Sequence, residues 1–353
     1  MANATYYLGA NTPEGFASHY TALFHDRRIR NLMIIKGGPG CGKSTLMRHV
    51  AAAAKERGCD TEQILCSSDP DSLDGVIIPK AGLALVDGTA PHVVEPPLCG
   101  LGAWYLDLGK FYNGSVLEQN STALLDAKEK NAACYPLCYL ALRSAKAASD
   151  GLHKIAKTAL PPDTLTEAKA RLLPRLLPQN GDRGDVLHRF VSAITPRGLL
   201  CTALPSGTVY PIRDSYGLSA PLLEGICADY AAAGHTVIRA YDPLSPNQLQ
   251  AVQVPALDTA YVISSRLFPL AGQNAPWLDL DALVAQRLTY EQEQRLHALE
   301  QLRSSAVHEA VRYLTTAKRH HDALEDAYRP AVDFVGVAET AESVVQTLHH
   351  LLS

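Results

Sequence analysis

Residues 31–45 read Asn-Leu-Met-Ile-Ile-Lys-Gly-Gly-Pro-Gly-Cys-Gly-Lys-Ser-Thr, and this stretch decides the fold. Its first five residues form a short apolar run, which is typical of a buried strand in a parallel sheet. Residues 44–57 contain neither Gly nor Pro and end before Gly58, which predicts a helix. The apolar face of that helix consists of Leu46, Met47, Val50 and Ala54. We therefore expect a strand, a glycine-rich turn and a helix in direct succession.

The turn satisfies the pattern Gly-x-x-x-x-Gly-Lys-Ser from Gly37 to Ser44. Glycines let backbone N–H groups curl around a phosphate without a Cβ in the way. The helix begins at Lys43, so its free N–H groups and the positive end of its dipole face the anion. We expect Lys43 to contact the β- and γ-phosphates of ATP, and the Ser44 hydroxyl to bind Mg²⁺. The predicted nucleotide-binding residues are Gly37, Gly38, Pro39, Gly40, Cys41, Gly42, Lys43, Ser44 and Thr45.

A carboxylate follows a later apolar strand of the first half. The run 83–86 ends at Asp87, and an acidic residue in this position commonly completes the magnesium shell beside a P-loop. We therefore predict Lys43 and Asp87 as catalytic residues, and Ser44 and Asp87 as metal ligands. Gly88 stands where many ATPases carry a glutamate that polarises the attacking water, so the general base must lie elsewhere or hydrolysis is slow.

Two polar segments offer candidates for that base. They cover residues 66–75 and 90–95, and each leaves the carboxyl end of a strand, where ligands bind in open α/β sheets. Ser, Asp and Pro are also ordinary turn and capping residues, and a structural role of this kind is the preferred interpretation of each candidate. The candidates are Asp69, Asp71, Asp74, His92 and Glu95.

The eight cysteines form no Cys-x-x-Cys pair, so the sequence predicts no zinc finger. Cys134 and Cys138 are four residues apart on a predicted helix, and buried thiols are their preferred interpretation. Cys41 lies inside the glycine-rich turn and has no fixed basic partner in sequence, so it is not a candidate nucleophile. Its position near a helix N-terminus predicts a lowered pKa and reactivity towards alkylating reagents.

Composition excludes several classes of protein. A chain of 353 residues suits two domains, and a formal charge of -4 gives no basic excess that would indicate nucleic acid. The first residues do not have the pattern of a signal peptide, and no apolar stretch is as long as a bilayer requires. Free cysteines are typical of a reducing compartment. We therefore expect a soluble cytoplasmic protein with neither a membrane nor a nucleic-acid partner.

Long helical stretches follow the first unit. Residues 115–160 and 287–327 predict long helices, and 164–172 predicts a shorter one before the linker signals Pro174 and Pro178. The expected units are a nucleotide-binding unit at 1–112, a helical insertion and linker at 113–180, a degenerate second unit at 185–275 and a C-terminal helical segment at 276–353.

Landmarks of the first half recur in the second half at a nearly constant spacing. The matched pairs are Leu46 with Leu222, Met47 with Leu223, Val50 with Ile226 and Gly58 with Gly234. The run 260–263 likewise matches the strand 83–86. We therefore expect a duplicated α/β fold of the P-loop NTPase type, with a parallel sheet, flanking helices and added helical segments.

The counterpart of the glycine-rich turn has lost its phosphate-binding residues. Residues 213–221 read Arg-Asp-Ser-Tyr-Gly-Leu-Ser-Ala-Pro, with one glycine and no lysine. Asp214 adds a repelling carboxylate, and Ser264 stands where Asp87 is expected. We therefore predict a pseudo-active second unit that keeps its sheet and binds no triphosphate. The candidates for reaching across to the first site are Arg213, Arg239 and Arg266.

The stretches 34–45, 66–76 and 86–92 resemble those of a largely uncharacterised Firmicute family of tandem P-loop ATPases. The resemblance covers most of the chain and implies ATP binding and two P-loop units, of which the second is degenerate here. No Asn-Lys-x-Asp motif for guanine is present in the sequence, which favours ATP over GTP.

The leading hypothesis is an ATPase that couples the binding and hydrolysis of Mg-ATP to a conformational change or to an unidentified protein or small-molecule partner. Two alternatives stay open. The first is a small-molecule or nucleotide kinase, in which the segment 69–74 lines an acceptor pocket. The second is a nucleotide-gated scaffold with negligible turnover.

Overall fold

The computed structural model of the protein describes residues 4–172, 183–204, 207–270 and 276–353. The strands of its first half are β1 (Ala4–Tyr6), β2 (Gly9–Thr12), β3 (Gly15–Ser18), β4 (Asn31–Lys36), β5 (Glu62–Leu65), β6 (Leu73–Ile78), β7 (Leu83–Asp87) and β8 (Ala103–Asp107). The helices of that half are α1 (Lys43–Glu56), α2 (Gly114–Gln119), α3 (Ser121–Ala159) and α4 (Thr164–Leu172).

The second half repeats this succession of elements. Its strands are β9 (Val186–Arg189), β10 (Ser192–Thr195), β11 (Gly198–Cys201), β12 (Thr208–Arg213), β13 (Val237–Asp242), β14 (Ser245–Val254), β15 (Thr259–Ser264) and β16 (Leu278–Asp279). Its helices are α5 (Ala220–Ala232), α6 (Leu280–Ala285), α7 (Tyr290–Tyr328) and α8 (Phe334–Leu352). The predicted helical stretches match α2, α3, α4 and α7, whereas the linker prolines Pro174 and Pro178 lie outside the described residues.

The first sheet is mixed, so the prediction of a parallel sheet was wrong. Within the described residues it has six strands in the order β1-β5-β6-β7-β4-β8. β6 is antiparallel to both of its neighbours, and the other neighbouring pairs are parallel. The chain passes from β6 to β7 through residues 79–82 alone, whereas a parallel connection needs a dozen or more residues. Gly82 takes a left-handed conformation at this reversal.

The second sheet has the same topology. Its six strands in the described chain follow the order β9-β13-β14-β15-β12-β16, and β14 takes the antiparallel place of β6. Each half also carries a short hairpin, β2–β3 or β10–β11. The two halves are therefore mixed α/β units in which corresponding strands pair in the same sense.

The two sheets pack face to face. One apolar cluster contains inward side chains of both sheets, among them Leu32, Ile34, Val86, Ile238 and Val262. The outer face of the first sheet packs against α1 and α8, and that of the second sheet packs against α5. Helix α8 comes from the second half of the chain and packs in the core of the first, whereas the C-terminal part of α3 comes from the first half and packs in the core of the second. Each half therefore completes the packing of the other.

Helices α3 and α7 have 39 residues each and pack along one another. α7 begins with a capping box formed by Thr289 and Gln292, which satisfies free N–H groups of its first turn. Further along α7, Arg303 donates to the carbonyl oxygen of Ser215 in the second half. Near its C-terminus, Glu325 contacts the glycine-rich turn of the first half. One helix therefore touches the corresponding loops of both halves.

Candidate functional site

The strand register brings the predicted catalytic residues together. β4 and β7 are parallel neighbours, and Ile35 pairs with Asp87. Parallel strands end at the same edge of a sheet, so Asp87 lies beside the turn that follows β4. Lys43 Nζ is 3.6 Å from Asp87 Oδ2 across this edge.

The turn at 37–42 requires its glycines. Gly40 and Gly42 have φ angles of 69° and 89°, a left-handed conformation that residues with a Cβ rarely adopt. A Cβ on Gly40 would also come within 3.0 Å of the carbonyl oxygen of Glu325. The backbone conformation and the close approach of α7 therefore both favour glycine at position 40.

Lys43 folds back over its own turn. Its ammonium group donates hydrogen bonds to the carbonyl oxygens of Gly37 and Gly38, at 2.8 and 2.9 Å. Only 13% of the side chain is exposed. The cation therefore lies between the turn and Asp87, on a flexible stem.

Ser44 and Asp87 offer the oxygen ligands that Mg²⁺ prefers. Ser44 Oγ accepts a hydrogen bond from the backbone N–H of Leu73 at 2.9 Å. Asp87 Oδ1 accepts from the backbone N–H and the hydroxyl of Thr89, at 2.8 and 2.6 Å. These bonds fix the Asp87 carboxylate so that its other oxygen faces Lys43. Because both side chains offer oxygen atoms, they fit a magnesium ion.

The environment of the Cys41 thiol differs from the predicted one. Its side chain is 1% exposed, and burial raises the pKa of the thiol above its ordinary value. The expectation of a lowered pKa was wrong, because the loss of hydration opposes the thiolate more than the charge of Lys43 favours it. Cys134 and Cys138 are also buried, which confirms their interpretation as buried thiols.

The two other predicted loop residues lie at the rim of the site. The Pro39 carbonyl oxygen accepts a hydrogen bond from Tyr112 Oη at 3.2 Å. Thr45 is exposed in the first turn of α1. Neither observation places the side chain of Pro39 or Thr45 beside Asp87. These two residues therefore contribute to the site only through the path of the backbone.

Asp74 and His92 meet in a buried cluster beside Asp87. Asp74 Oδ2 is 3.2 Å from His92 Nε2 and accepts a hydrogen bond from Tyr20 Oη at 3.2 Å. In the antiparallel pair β6 and β7, Gly75 pairs with Val86. The next positions along this pair are Asp74 and Asp87, so the two residues lie on neighbouring strands at the same edge of the sheet. Burial raises the pKa of Asp74, and the charge of Asp87 adds to the effect.

Cys66 completes this cluster. Donor atoms of Cys66, Asp74 and His92 lie within 4.8 Å of one another, and all three side chains are buried. Thiolate, carboxylate and imidazole are ligands that zinc takes in proteins. The Asp74 carboxylate, however, is already satisfied by its hydrogen-bonding neighbours. Within this cluster, His92 Nδ1 has no hydrogen-bond partner among the described residues.

The other three candidates for the general base have their charges paired elsewhere. Asp69 lies 3.6 Å from Lys318, and exposed Asp71 forms an ion pair with Arg197. Glu95 is exposed and lies 2.8 Å from Lys36 Nζ. The structure therefore places Asp74 next to Asp87 in the sheet, pairs Asp74 with His92, and leaves the other three in ion pairs.

Sequence reasoning missed the contribution of α7 to the site. Glu325 Oε1 accepts a hydrogen bond from the backbone N–H of Gly40 at 3.3 Å. Tyr328, one turn further along α7, packs its ring against that of Tyr112, with 5.3 Å between the ring centroids. No local sequence pattern could identify Glu325, because it contacts the turn from 285 residues away. Cys66 did lie in a segment that the sequence singled out, whereas Tyr20 carried no signal.

The second-half loop is built around a carboxylate of its own. Asp214 is 1% exposed and accepts hydrogen bonds from the backbone N–H groups of Tyr216 and Ser219, at 3.0 and 2.7 Å. The Ser219 hydroxyl donates to the same carboxylate at 2.7 Å. The backbone N–H groups of Tyr216 and Ser219 are thus engaged within the loop itself.

The strand register corrects one sequence match. Ile263 pairs with Ile212 as Asp87 pairs with Ile35, so Ile263, rather than Ser264, occupies the place of Asp87. Neither residue offers a carboxylate. The three candidate arginines are each paired within the second half: Arg213 with Asp279, Arg239 with Glu224 and Arg266 with Glu300.

Comparisons with known proteins leave the site to be interpreted from its geometry. A scan against protein-family models finds no match, and neither a search of curated proteins nor one of solved structures finds any. The resemblance to Firmicute tandem P-loop ATPases therefore stays a prediction. Among the described helices, none combines the length and the hydropathy needed to cross a membrane.

Proposed function

We propose that the first half binds one Mg-ATP and that the protein is an ATPase of the P-loop NTPase type. The observation that carries this proposal is the convergence of Lys43, Ser44 and Asp87 where two neighbouring parallel strands end. A glycine-rich turn followed by a helix N-terminus is a favourable anion site, because its N–H groups and the helix dipole both attract negative charge.

Each residue has a distinct part in the proposed site. Lys43 balances the charge of the β- and γ-phosphates, and the turn from Gly37 to Gly42 supplies backbone N–H groups. Ser44 and Asp87 would hold Mg²⁺, which neutralises charge on the phosphates during transfer. The hydrogen bond from Gly40 N to a carboxylate oxygen supports the affinity of this turn for an anion.

We propose His92 as the general base, with Asp74 as the residue that positions it. His92 Nε2 lies 3.2 Å from Asp74 Oδ2, and Nδ1 has no hydrogen-bond partner among the described residues. In the tautomer that donates Nε2–H to this carboxylate, Nδ1 carries the lone pair that a general base needs. A carboxylate that orients a histidine in this way is a common arrangement for proton transfer. Because His92 is buried, we expect hydrolysis to be slow.

The path of α7 supports the coupling of nucleotide binding to a conformational change. Glu325 accepts a hydrogen bond from the backbone N–H of Gly40, which the proposed site would offer to phosphate. ATP therefore has to displace the Glu325 carboxylate. Arg303 on the same helix contacts the second half. A movement of α7 would therefore reach both halves of the protein.

The test measures nucleotide binding and phosphate release by the purified protein with Mg²⁺ and a panel of nucleoside triphosphates. We expect ATP binding and slow phosphate release without an added acceptor. His92→Gln should lower the release rate at least tenfold with unchanged ATP affinity, whereas the exposed control His25→Gln should change neither. Release only with an added acceptor would indicate a kinase, and tight binding without release would indicate a scaffold.

A further inference from the structure

A thiol, a carboxylate and an imidazole meet beside the proposed nucleotide site. Donor atoms of Cys66, Asp74 and His92 lie within 4.8 Å of one another, and all three side chains are buried. Cys66 follows β5, Asp74 lies near the start of β6, and His92 lies in the loop after β7. Because β5, β6 and β7 are neighbours and β6 runs antiparallel to the other two, the three side chains come to the same edge of the sheet.

The spacing of the donor atoms suits a tetrahedral ion. Zinc binds nitrogen and oxygen at about 2.1 Å, so two such ligands lie about 3.4 Å apart. Asp74 Oδ2 and His92 Nε2 are 3.2 Å apart. Zinc binds sulfur at about 2.3 Å, which puts a sulfur ligand about 3.6 Å from the other two donors. Cys66 Sγ lies within 4.8 Å of both, so a shift of about 1 Å brings it into place.

The cluster carries negative charge without a permanent counter-charge. Among the described residues no lysine or arginine forms an ion pair with Asp74, and its charged neighbours are His92 and a second carboxylate, Asp87. The Lys43 ammonium lies against Asp87 instead. Burial and the charge of Asp74 raise the pKa of the Cys66 thiol, so the thiol keeps its proton until a cation takes its place. This environment therefore favours a cation.

The kinds of donor atom distinguish this cluster from the proposed magnesium site. Ser44 and Asp87 offer oxygen atoms, which Mg²⁺ prefers. A thiolate and an imidazole instead favour zinc over magnesium. The thiolate of Cys66 and the carboxylate of Asp74 together carry two negative charges, which a Zn²⁺ ion balances. Two neighbouring sites of one sheet edge therefore suit two different metals.

The cluster suits a reversible ion better than a permanent one. It supplies three protein ligands, which leaves a fourth position for water. His92 Nδ1 has no hydrogen-bond partner among the described residues, whereas a histidine of a permanent metal site almost always donates from its second nitrogen. His92 also lies between exposed Pro91 and Val93, so an opening of this short loop would admit an ion from solvent.

We propose that Cys66, Asp74 and His92 form a reversible zinc site that inhibits ATP hydrolysis. As Zn²⁺ binds, the thiol proton leaves to solvent and the ring proton moves from Nε2 to Nδ1, so that sulfur, a carboxylate oxygen and Nε2 hold the metal. Nδ1 then has no lone pair, and His92 cannot accept a proton from the attacking water. The inhibition rests on the proposed function, whereas the binding of zinc does not.

The test of binding uses the full chain after treatment with a chelator, with Co²⁺ as a coloured substitute for Zn²⁺. A cobalt–thiolate bond absorbs in the near ultraviolet. We expect this absorption to reach its maximum at one Co²⁺ per chain, to persist in millimolar Mg²⁺ and to disappear when Zn²⁺ displaces the cobalt. Cys66→Ser keeps the size of the side chain and should abolish the absorption. Cys99→Ser changes an exposed cysteine and should keep it.

Phosphate release with saturating Mg-ATP tests the inhibition. One equivalent of Zn²⁺ should slow the release at least fivefold in the unmodified protein and in Cys99→Ser. Cys66→Ser should need at least tenfold more Zn²⁺ for the same effect. Because Cys66 takes no part in the proposed proton transfer, Cys66→Ser should keep the rate measured without zinc. A rate that stays normal while zinc is bound would overturn the inhibitory role.

Three results would overturn the zinc site itself. They are a folded unmodified protein without cobalt–thiolate absorption, absorption that persists in folded Cys66→Ser, and an equal loss of absorption in Cys99→Ser. Asp74→Asn removes a different ligand at nearly constant size, so it should weaken Co²⁺ binding at least tenfold even if Cys66→Ser does not fold. A protein that hydrolyses no ATP without zinc would contradict the proposed function, and the cobalt absorption would still decide the metal site.

Discussion

The carboxylate of Glu325 accepts a hydrogen bond from the backbone N–H of Gly40, with 3.3 Å between the two heavy atoms. His321 Nε2 lies 3.4 Å from the same carboxylate oxygen. This hydrogen-bonding neighbour keeps the pKa of Glu325 below its ordinary value, so the carboxylate is charged at neutral pH. The glycine-rich turn therefore already binds an anion, which comes from a helix of the other half.

Removing this charge should strengthen nucleotide binding. Glu325→Gln keeps the size of the side chain and removes the negative charge that competes with phosphate. We expect the dissociation constant for ATP to fall about fivefold, which corresponds to about 1 kcal/mol. Titration with a fluorescent ATP analogue measures it. Glu309→Gln on the same helix serves as the control, and equal affinities in all three proteins would show that Glu325 does not compete.

Asp87→Asn should change the magnesium dependence more than the affinity for nucleotide. The phosphate cradle consists of backbone N–H groups and Lys43, whereas Asp87 acts through the metal ion. We expect the Mg²⁺ concentration for half-maximal phosphate release to rise at least tenfold, and ATP affinity without Mg²⁺ to change less than threefold. Asp107→Asn, at the end of the neighbouring strand β8, is the control. An unchanged magnesium titration would reduce Asp87 to a turn residue.

Cys41 should resist alkylation in the native protein. Its thiol is buried and its pKa is raised, so both access and the thiolate fraction are low. Cys99 is exposed and provides an internal control. Treatment with iodoacetamide at pH 7.5, followed by peptide mass spectrometry, should show Cys99 modified at least tenfold faster. Comparable rates at the two positions would contradict the buried environment of Cys41.

Stability should fall in mild acid because of His19. Its ring stacks against Phe190 and lies 4.7 Å from that of Tyr241, and burial lowers the pKa of His19 to about 4. Between pH 6.5 and 4 the unfolded chain binds a proton that the native protein excludes, so stability decreases as the pH falls. We expect His19 to contribute about 2 kcal/mol of this loss between pH 6.5 and 5.

Urea unfolding at several pH values measures that contribution. His19→Phe keeps an aromatic ring and removes the titrating group, so the slope of stability against pH should become shallower. His25→Phe replaces an exposed histidine nearby and should keep the slope of the unmodified protein. The same slope in all three proteins would assign the acid sensitivity to other groups.

The sequence predicted the parts of the site that depend on local pattern. The glycine-rich turn and α1 are contiguous, and the apolar run before Asp87 places its carboxylate at a strand end. The direction of β6 was missed because its apolar run, residues 76–78, has only three residues, and a short buried run does not distinguish a parallel strand from an antiparallel one. The hairpin β2–β3 was missed because its short, glycine-containing strands have weak β-propensity.

Contacts between distant segments could not be predicted. Asp74 and His92 meet because of the strand register and the path of the loop after β7, and neither property can be read from the residues alone. Glu325 lies on a charged helix whose other acidic residues are indistinguishable from it in pattern. The packing of α8 on α1 depends on how the two halves fit together, which a single sequence does not specify.

The stoichiometry of ATP binding tests the central claim most directly. Equilibrium titration of the intact chain with a fluorescent ATP analogue and Mg²⁺ should give one site per chain. Lys43→Ala should abolish that site in a protein that unfolds at the same temperature, because Lys43 provides the counter-charge of the phosphates. The control Lys55→Ala, at the far end of α1, should bind normally. Two sites per chain, or binding that survives Lys43→Ala, would contradict the assignment of the first half as the nucleotide site.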